Sequence, residues 1–524
     1  MSIDDTYTDG QRTTPPATAR HERAGVNGER RTVNGQRPFI PYARQWIDEE
    51  DIQAVVEVLH SDWLTTGPKV AEFEKAFINF VGAKEAVAVN NGTAALHAAM
   101  YAIGIGLGDE VILSPMTFVA TANAMVFQGG TPVFADVDPD TLLIDPTKLE
   151  EKITKRTKAI VAVDYAGQPC DYDALREIAE RHSLILVADA CHSLGAEYKG
   201  RNVGTLADLT VFSFHPVKHI TTGEGGMVVT DNTELSNRMR MFRNHGITRN
   251  PEMFTPARQT LGGVHPCPPR LYQDRRGSPL TDTQHPTDNG QRIKDNNFQQ
   301  ATGNGQRSTV NEQWYYEMQD FGYNYRITDI QCALGLSQLK KLPEFLRRRC
   351  EIAAKYDEAL ADIPGIEPLG LRSDVMPAKH LAKHQTTSDI HSSSDAMRHV
   401  YPVESLPNGI RSPFHRGEGH STGAPRSMLS KHAYHLYVIK VDFKALEIDR
   451  TTVFQSLREK GIGVNVHYIP VHLHPFYRKK YHTGLGLCPV AEAGYEQIIS
   501  LPMFPAMTDP DIETVVDAIS TSIC

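Results

Sequence analysis

The stretch SFHPVKHITTGEGG, residues 213–226, begins in a short apolar run, Thr210–Phe214, that predicts a buried strand. Its lysine, Lys218, follows that strand, and a lysine in this position is ordinarily a solvated surface residue. Two features favour a binding role instead. Ser213 stands five residues earlier, suitably placed to reach a phosphate group, and the Gly-rich end lets the backbone approach a ligand closely. The stretch therefore predicts a ligand-binding lysine after a strand.

On both sides of this stretch, short apolar runs alternate with helical patterns, which is the order of an α/β protein. The runs are apolar on both faces, as expected for parallel strands covered by helices. They are Ala86–Val89, Val111–Leu113, Ile160–Val163, Ile185–Ala188 and Thr210–Phe214, and the helical patterns are Ala94–Ile103, Phe118–Phe127 and Tyr172–His182. Two further helices, Ile327–Leu339 and Pro343–Leu360, lead to a smaller α/β part with a strand at His435–Val441 and a helix at Asp509–Ile519.

Open parallel sheets bind ligands at the carboxyl ends of their strands, and two more strand ends carry suitable residues. Residues 90–95, NNGTAA, form a strand-to-helix turn whose N–H groups can hold a phosphate, or whose Gly and Thr merely cap a helix. Asp189 follows the strand Leu184–Ala188. It is either a helix N-cap or, as in enzymes of pyridoxal 5′-phosphate (PLP), the partner of a pyridinium nitrogen. A phosphate cradle, an aspartate and a lysine in this order predict a PLP enzyme.

Three stretches, 38–254, 313–371 and 432–524, resemble the DegT/DnrJ/EryC1/StrS family of sugar-nucleotide aminotransferases. The resemblance implies an α/β architecture of PLP fold type I, the aspartate-aminotransferase type. A large, mostly parallel-sheet PLP-binding domain would span 38–340, and a smaller C-terminal α/β domain would span 341–524. The family also implies a homodimer with shared active sites.

Four motifs resemble one subgroup of this family, that of the pseudaminic-acid pathway. The subgroup aminates C4 of a UDP-linked 4-keto-6-deoxy-N-acetyl-altrosamine and takes the amino group from L-glutamate. The motifs are PYARQ at 41–45, LTTGP at 64–68, SFHPVKHITTGEGG at 213–226 and the segment Gly463–Pro470. The sequence leaves open which nucleotide and sugar are used, and whether C3 or C4 is aminated.

The family pattern implies roles for individual residues. Lys218 resembles the lysine that holds PLP as a Schiff base and moves the proton, and Asp189 resembles the pyridinium partner. His192 stands where many relatives have glutamine, on the side of the ring hydroxyl, and Phe118 resembles the aromatic that stacks on the ring, its alternative being a core aromatic. The residues that resemble phosphate binders are Thr93, Ala94, Ser213 and, from the neighbouring subunit, Asn324. The residues that resemble substrate contacts are Tyr42, Leu64, Thr65, Thr66, Gly67, His467, Tyr468, Ile469 and Pro470.

Two other functions are known on the same scaffold. PLP-dependent sugar dehydratases have histidine in place of the Schiff-base lysine, whereas this chain has Lys218 with His219 beside it, which favours transamination. A non-enzymatic regulatory member of the family need not keep the lysine, the aspartate and the phosphate site together. This chain keeps all three.

The composition is typical of a cytoplasmic enzyme without nucleic-acid or membrane partners. The net charge of −9 argues against nucleic-acid binding, and no apolar run reaches the roughly 18 residues of a membrane span. The acidic N-terminus is unlike a signal peptide, and the seven cysteines, without a CxxC pair, indicate reduced thiols. His467, His472 and His474 suggest a metal site, but no carboxylate or cysteine with ligand spacing completes the set, and the family uses no metal.

Three polar segments interrupt these patterns: 1–37, about 255–312 and about 372–431. Such segments bury too little apolar surface to offset the entropy of ordering them, which predicts a disordered tail and two disordered insertions. Related tetrapeptides recur in these segments, either as a binding motif or as part of disordered insertions. Their irregular spacing, and a length too short for a repeat fold, favour the second reading. The tetrapeptides are DGQR at 9–12, NGER at 27–30 and NGQR at 34–37, 289–292 and 304–307.

Overall fold

The computed structural model describes residues 39–254, 314–375, 377–378 and 430–523. The chain divides into two compact units, residues 1–240 with 325–524 and residues 241–324. The predicted tail, the first predicted insertion and all of the repeated tetrapeptides lie outside the described residues, and so does most of the second insertion. Among the described helices, none combines the length and the apolarity that crossing a membrane requires.

The first unit is built on a seven-stranded sheet in the order β1-β9-β8-β5-β4-β2-β3. Strand β9 runs antiparallel to both of its neighbours, and the other pairs are parallel. A three-stranded antiparallel sheet, β12-β13-β14, lies further along the chain. The strands are β1 (Glu85–Val89), β2 (Glu110–Leu113), β3 (Thr131–Phe134), β4 (Thr157–Val163), β5 (Ile185–Asp189), β6 (Glu197–Tyr198), β7 (Arg201–Asn202), β8 (Leu209–Ser213), β9 (Gly226–Thr230), β10 (Ile247–Thr248), β11 (Glu317–Met318), β12 (Ile366–Pro368), β13 (Tyr437–Val441) and β14 (Ile498–Leu501).

Several helices begin where a side chain satisfies one of their first backbone N–H groups. Asp48 caps the first helix, and Thr328 and Gln331 form a capping box at the start of the longest one. The described helices are α1 (Glu49–Leu59), α2 (Pro68–Val81), α3 (Gly92–Ala102), α4 (Val119–Phe127), α5 (Tyr172–Arg181), α6 (Thr233–Phe242), α7 (Asp329–Leu360), α8 (Arg450–Glu459), α9 (Pro475–Tyr481), α10 (Pro489–Gln497) and α11 (Asp509–Ile523).

The C-terminal sheet has a core of its own. Tyr356 and Leu360 from the last turns of α7 pack there with Ile439 of β13 and Val515 of α11, and all four side chains are buried. The boundary predicted between 340 and 341 falls inside α7. The division into a large and a small domain therefore stays a prediction, while the α/β class and the mostly parallel sheet are confirmed.

Two details of the sequence analysis are wrong. The sequence predicts separate helices before and after Pro343, but α7 runs through the proline as one helix of 32 residues. Because Leu342 and Phe345 on either side of it are buried, their packing offsets the hydrogen bond that proline cannot make. The second polar segment is also narrower than predicted, since Val375 and Ser430 near its ends are buried and form a β-bridge.

Candidate active site

The carboxyl ends of several strands meet at one edge of the large sheet. Strands β1 and β8 are both antiparallel to β9, so they point the same way as each other and as β2, β4 and β5. Asn90 follows β1, Asp164 follows β4, and Asp189 and Ser213 end β5 and β8. Lys218 lies in the turn between β8 and β9, which starts from the same edge. The fold therefore gathers the residues predicted from three separate stretches.

The N-terminus of α3 lies against the end of β8. A Cβ atom at Gly92 would stand 3.0 Å from the Oγ of Ser213, so glycine permits this approach. The Oδ1 of Asn91 accepts the N–H of Ala94 at 2.8 Å. The backbone N–H of Ala94, a predicted phosphate binder, therefore already has a partner within the chain. Thr93 lies half-buried in the first turn, where backbone N–H groups have no acceptor within the helix. The serine hydroxyl and these N–H groups are donors of the kind that can hold an anion, as predicted for the phosphate.

The carboxylate of Asp189 is buried and held by uncharged donors. The Oγ1 of Thr121 donates to its Oδ2 at 2.7 Å, and the N–H of Cys191 donates to its Oδ1 at 3.2 Å. Thr117 is hydrogen-bonded to Thr121 in turn, at 2.7 Å. Over the described ranges, no Lys, Arg or His side chain forms an ion pair with Asp189. A buried carboxylate in this state favours a cationic ligand that balances its charge.

Lys218 is half-buried, and its Nζ lies 3.4 Å from the Nε2 of His435. Burial lowers the pKa of the Lys218 ammonium, the charge of Arg349 lowers it further, and the charge of Asp189 opposes the shift. The backbone N–H of Lys218 donates to the carbonyl of His215 at 2.8 Å and fixes the turn. Near neutral pH a larger fraction of Lys218 is therefore neutral amine, able to accept a proton, than of a surface lysine.

His192, Tyr468 and Phe118 form one side of the site. The Nε2 of His192 lies 3.0 Å from the Oη of Tyr468, and the ring of His192 packs 4.4 Å from that of His435 between centroids. Burial lowers the pKa of His192, so its ring is neutral. Phe118 lies 6.1 Å from the ring of Tyr468 and is 58% exposed, which excludes its alternative reading as a core aromatic.

The segment 467–470 is joined to the site through its backbone and its first side chains. The hydroxyl of Tyr165 donates to the carbonyl of His467, whose ring lies 5.5 Å from that of Tyr42. Burial lowers the pKa of His467 to about 3. Ile469 is exposed, whereas Pro470 is buried. Tyr42 and His467 are therefore neighbours, as expected for residues of one substrate-contacting surface.

Two of the three histidines considered as metal ligands, His467 and His472, have other partners. The Nδ1 of His467 lies 2.8 Å from the Oγ of Ser500, and the Nε2 of His472 lies 2.8 Å from a carboxylate oxygen of Glu492. In the part of the chain that the structure describes, no group of three or more His, Cys, Asp or Glu side chains could hold a metal ion.

The predicted substrate-contacting segment 64–67 and the predicted phosphate binder Asn324 lie in different surroundings. Residues 64–66 are exposed, and the turn that they enter is fixed by Asp329, whose Oδ1 accepts the N–H of Gly67 at 2.8 Å. Asn324 belongs to the second unit, where it is exposed and forms an isolated β-bridge with Asn244. Its assignment to the phosphate site of a partner subunit stays a prediction.

Two residues of the site, His435 and Thr121, are not found by the sequence analysis. Thr121 lies in the first turn of α4 and Thr117 just before its N-cap, Phe118, so the four-residue spacing of two threonines at a helix start is a signal that could have revealed the pair. His435 has no comparable local signal. Its contact with Lys218 joins residues 217 positions apart and exists only in the folded chain.

These features fit PLP. The donors at the start of α3 suit a phosphate, the buried Asp189 suits a pyridinium nitrogen, and the exposed face of Phe118 suits a planar ring. The buried Nδ1 of His192 also lacks a hydrogen-bond partner among the described residues. Together with a lysine amine at the same sheet edge, this fold and site define a PLP enzyme of fold type I.

Comparisons with known proteins specify the family. The model of the DegT/DnrJ/EryC1/StrS aminotransferase family matches residues 45–263, 287–415 and 410–520. The spore coat polysaccharide biosynthesis protein SpsC of Bacillus subtilis is 37% identical over 488 residues, which cover 93% of this chain and 98% of SpsC. The chain therefore belongs to this family and is a PLP-dependent sugar aminotransferase.

Solved structures of two other proteins are also similar to this chain. PseC of Helicobacter pylori, an aminotransferase involved in the biosynthesis of pseudoaminic acid, is 29% identical with a TM-score of 0.67, and the match covers 93% of this chain and 99% of PseC. The PLP form of Spr1654 from Streptococcus pneumoniae is 27% identical with a TM-score of 0.67, covering 93% of this chain and 98% of Spr1654.

Proposed function

We propose that the protein transfers the amino group of L-glutamate to C4 of a UDP-linked 4-keto-6-deoxy sugar, the N-acetyl-altrosamine derivative. The observation that carries the proposal is the amine of Lys218, which burial holds toward its neutral form, at the same sheet edge as the buried carboxylate of Asp189. The likeness to PseC and the motifs around Tyr42, Gly67 and His467 support the choice of sugar.

In this mechanism Lys218 anchors the cofactor covalently and, once released from it, carries the proton. When bound, PLP supplies a ring that accepts the electron pair left on carbon as a proton departs. Asp189, oriented by Thr121, keeps the ring nitrogen protonated and so maintains that capacity. The Nζ of Lys218 would take the proton from Cα of glutamate, and water would then release 2-oxoglutarate while the amino group stays with the cofactor. That amino group would pass to C4 of the sugar, whose carbonyl oxygen leaves as water, and Nζ would return a proton to the same carbon. This order makes the kinetics ping-pong.

The sugar nucleotide would bind over the open side of the site. Leu64 and Ile469 are exposed apolar side chains that would contact it, and Thr65 and Thr66 would act as hydroxyl donors. Tyr42 and His467, whose ring centroids lie 5.5 Å apart, would contact the sugar ring together. The fixation of Gly67 by Asp329 would hold the turn at 64–67 in place.

Among nucleotide-linked keto-sugars, we expect the UDP-linked 4-keto-6-deoxy sugar to have the highest kcat/KM. The assay follows glutamate-dependent formation of 2-oxoglutarate with UDP- and dTDP-linked 3-keto and 4-keto sugars, and NMR locates the new amino group. Lys218→Ala is the control for turnover that does not depend on the site. A dTDP-linked or a 3-keto sugar that reacts about tenfold better, a difference of about 1.4 kcal/mol, would replace the proposed substrate.

The same proposal includes a homodimer in which Asn324 serves the phosphate site of the partner subunit. Mixed dimers of Lys218→Ala and Asn324→Ala subunits, isolated by two affinity tags, should then be more active at limiting PLP than either parent dimer. Both lesions fall into one site, so the other site keeps an intact Lys218 and an intact partner Asn324. If Asn324 acts within its own chain, each site carries one lesion and no gain appears.

A further inference from the structure

The Nε2 of His435 lies 3.4 Å from the Nζ of Lys218, and neighbouring groups hold the backbone at this histidine. The Nη1 of the buried Arg349 donates to the carbonyls of Tyr434 and His435, at 3.1 and 3.2 Å. Gly167, with φ of +106°, lies so close that a Cβ atom there would stand 2.9 Å from the backbone nitrogen of His435. The backbone that bears this imidazole is therefore held on two sides.

The imidazole of His435 lies in a cluster of buried rings. The ring of His192 is 4.4 Å away between centroids and that of His219 is 5.4 Å away. The Nε2 of His219 lies 3.0 Å from the carbonyl of Ala433, an acceptor, so its hydrogen is on Nε2. Burial and the charge of Lys218 lower the pKa of His435, so it does not take up a second proton.

The location of the single hydrogen on His435 is coupled to the state of Lys218. A neutral imidazole carries one hydrogen, on either Nδ1 or Nε2. Among the described residues, the buried Nδ1 of His435 has no hydrogen-bond partner, and a buried N–H without an acceptor is costly. The hydrogen is therefore better placed on Nε2, where it donates to the Nζ of Lys218. That bond requires a lone pair on Nζ, which only the neutral amine has.

Protonation of Lys218 reverses this arrangement. An ammonium has no lone pair, so Nε2 of His435 must give up its hydrogen to accept from Nζ, and the hydrogen must move to the buried Nδ1. Protonating the lysine thus leaves an N–H without an acceptor two bonds further along the ring. This unpaired N–H of His435 disfavours the ammonium of Lys218, in addition to the cost of burying the charge itself.

We propose that His435 is a positioning residue that keeps the Lys218 amine in its neutral, proton-accepting form through a hydrogen bond from Nε2 to Nζ. The inference rests on the proposed function, in which this amine carries the proton between two carbons. A carrier of this kind must accept a proton as the neutral amine and release it again as the ammonium, and an ammonium without a well-matched partner releases its proton more readily.

Other groups also act on Lys218 and would persist when His435 is replaced. The carboxylate of Asp189 and the thiol of Cys191 favour the ammonium, whereas the guanidinium of Arg349 disfavours it. The remaining titratable groups that interact with Lys218 are the buried imidazoles of His192, His219 and His467. The change caused by His435 must therefore be measured as a difference between variants.

The test measures the pH at which Lys218 becomes reactive in protein saturated with pyridoxamine 5′-phosphate, which cannot form an imine with a lysine. A short pulse of acetic anhydride, applied from about pH 6 to about pH 10, acetylates only neutral amines, and mass spectrometry quantifies the peptide that contains Lys218. In His435→Phe, which keeps a planar ring and loses both nitrogens, we expect the midpoint to rise by about one pH unit. At a given pH well below the midpoint, the neutral fraction of Lys218 is then about tenfold smaller.

His432→Phe is the matched control. His432 is also buried and lies three residues away, but its Nδ1 accepts the N–H of Tyr434 at 2.7 Å instead of facing Lys218. This variant should leave the midpoint unchanged. If His435→Phe is insoluble, His435→Gln gives the same test, because its carbonyl oxygen can accept from the ammonium and should also raise the midpoint.

An unchanged or lower midpoint in the folded His435 variant would overturn the inference. Borohydride reduction of the PLP-loaded protein separates this failure from failure of the proposed function. A pyridoxyl group on Lys218 with an unchanged midpoint refutes only the role of His435. A pyridoxyl group on a different lysine refutes the proposed role of Lys218, whatever the midpoint.

Discussion

Lys218→Ala is expected to reduce glutamate-dependent turnover by at least about 10³-fold while the protein still binds PLP non-covalently. The variant loses the only amine proposed to move the proton, but it keeps the carboxylate of Asp189 and the predicted phosphate donors of Ser213 and α3. Steady-state rates measure the first effect. Absorbance of bound cofactor after gel filtration, with no pyridoxyl label after borohydride, measures the second.

Lys84→Ala is the control for removing a lysine. Its side chain is 73% exposed and its Nζ lies 3.7 Å from Asp231, so the substitution removes a surface charge. This variant should keep its turnover. Full turnover by Lys218→Ala would instead show that the proton is carried by a different group.

Asp189→Asn is expected to fold normally and to lose activity by roughly a hundredfold or more, which corresponds to about 3 kcal/mol of transition-state stabilisation. The amide oxygen can still accept the N–H of Cys191, and the NH2 group that replaces Oδ2 can donate to the hydroxyl of Thr121, so both contacts have a replacement. It cannot supply the negative charge that keeps the ring nitrogen protonated. The effect should appear in kcat, with little change in the far-UV spectrum or in unfolding.

Asp164→Asn is a matched control, because Asp164 is a second buried carboxylate at the same sheet edge. It accepts hydrogen bonds from the hydroxyls of Ser193 and Tyr172, at 2.6 and 2.9 Å, and burial raises its pKa to about 6. Its partners belong to the scaffold, so we expect activity within about threefold of the parent. Equal losses in both variants would mean that a buried charge at this edge matters for stability and that Asp189 has no special role.

The strands of the large sheet could be predicted because they are short and apolar on both faces. Ile160, Val161 and Ala162 of β4 are fully buried, and the observed strand extends the predicted one by three residues, to Thr157. Strand β9 was not predicted, because Gly226, where it begins, was assigned to the ligand-binding stretch. Helices α1 and α2 precede the first apolar run and also went unpredicted.

The candidate site likewise has residues that the sequence predicts and contacts that it does not. Lys218, Asp189 and Ser213 stand in linear motifs at strand ends, and the parallel sheet alone brings them to one edge. The contact of His435 with Lys218 depends instead on the return of a distant segment, and no local pattern encodes it. The same is true of the hydroxyl of Tyr468 beside His192.

The continuity of α7 has a practical meaning for recombination between relatives. The helix is about 48 Å long, and its first residue fixes the turn at Gly67 while its last turns, at Tyr356, pack beneath the C-terminal sheet. Arg349, between them, holds the backbone of His435. A chimaera joined within the helix would pair each end with the wrong parent. Exchanges meant to transfer sugar preference should therefore cross over in the flanking loops and move the helix together with residues 64–67.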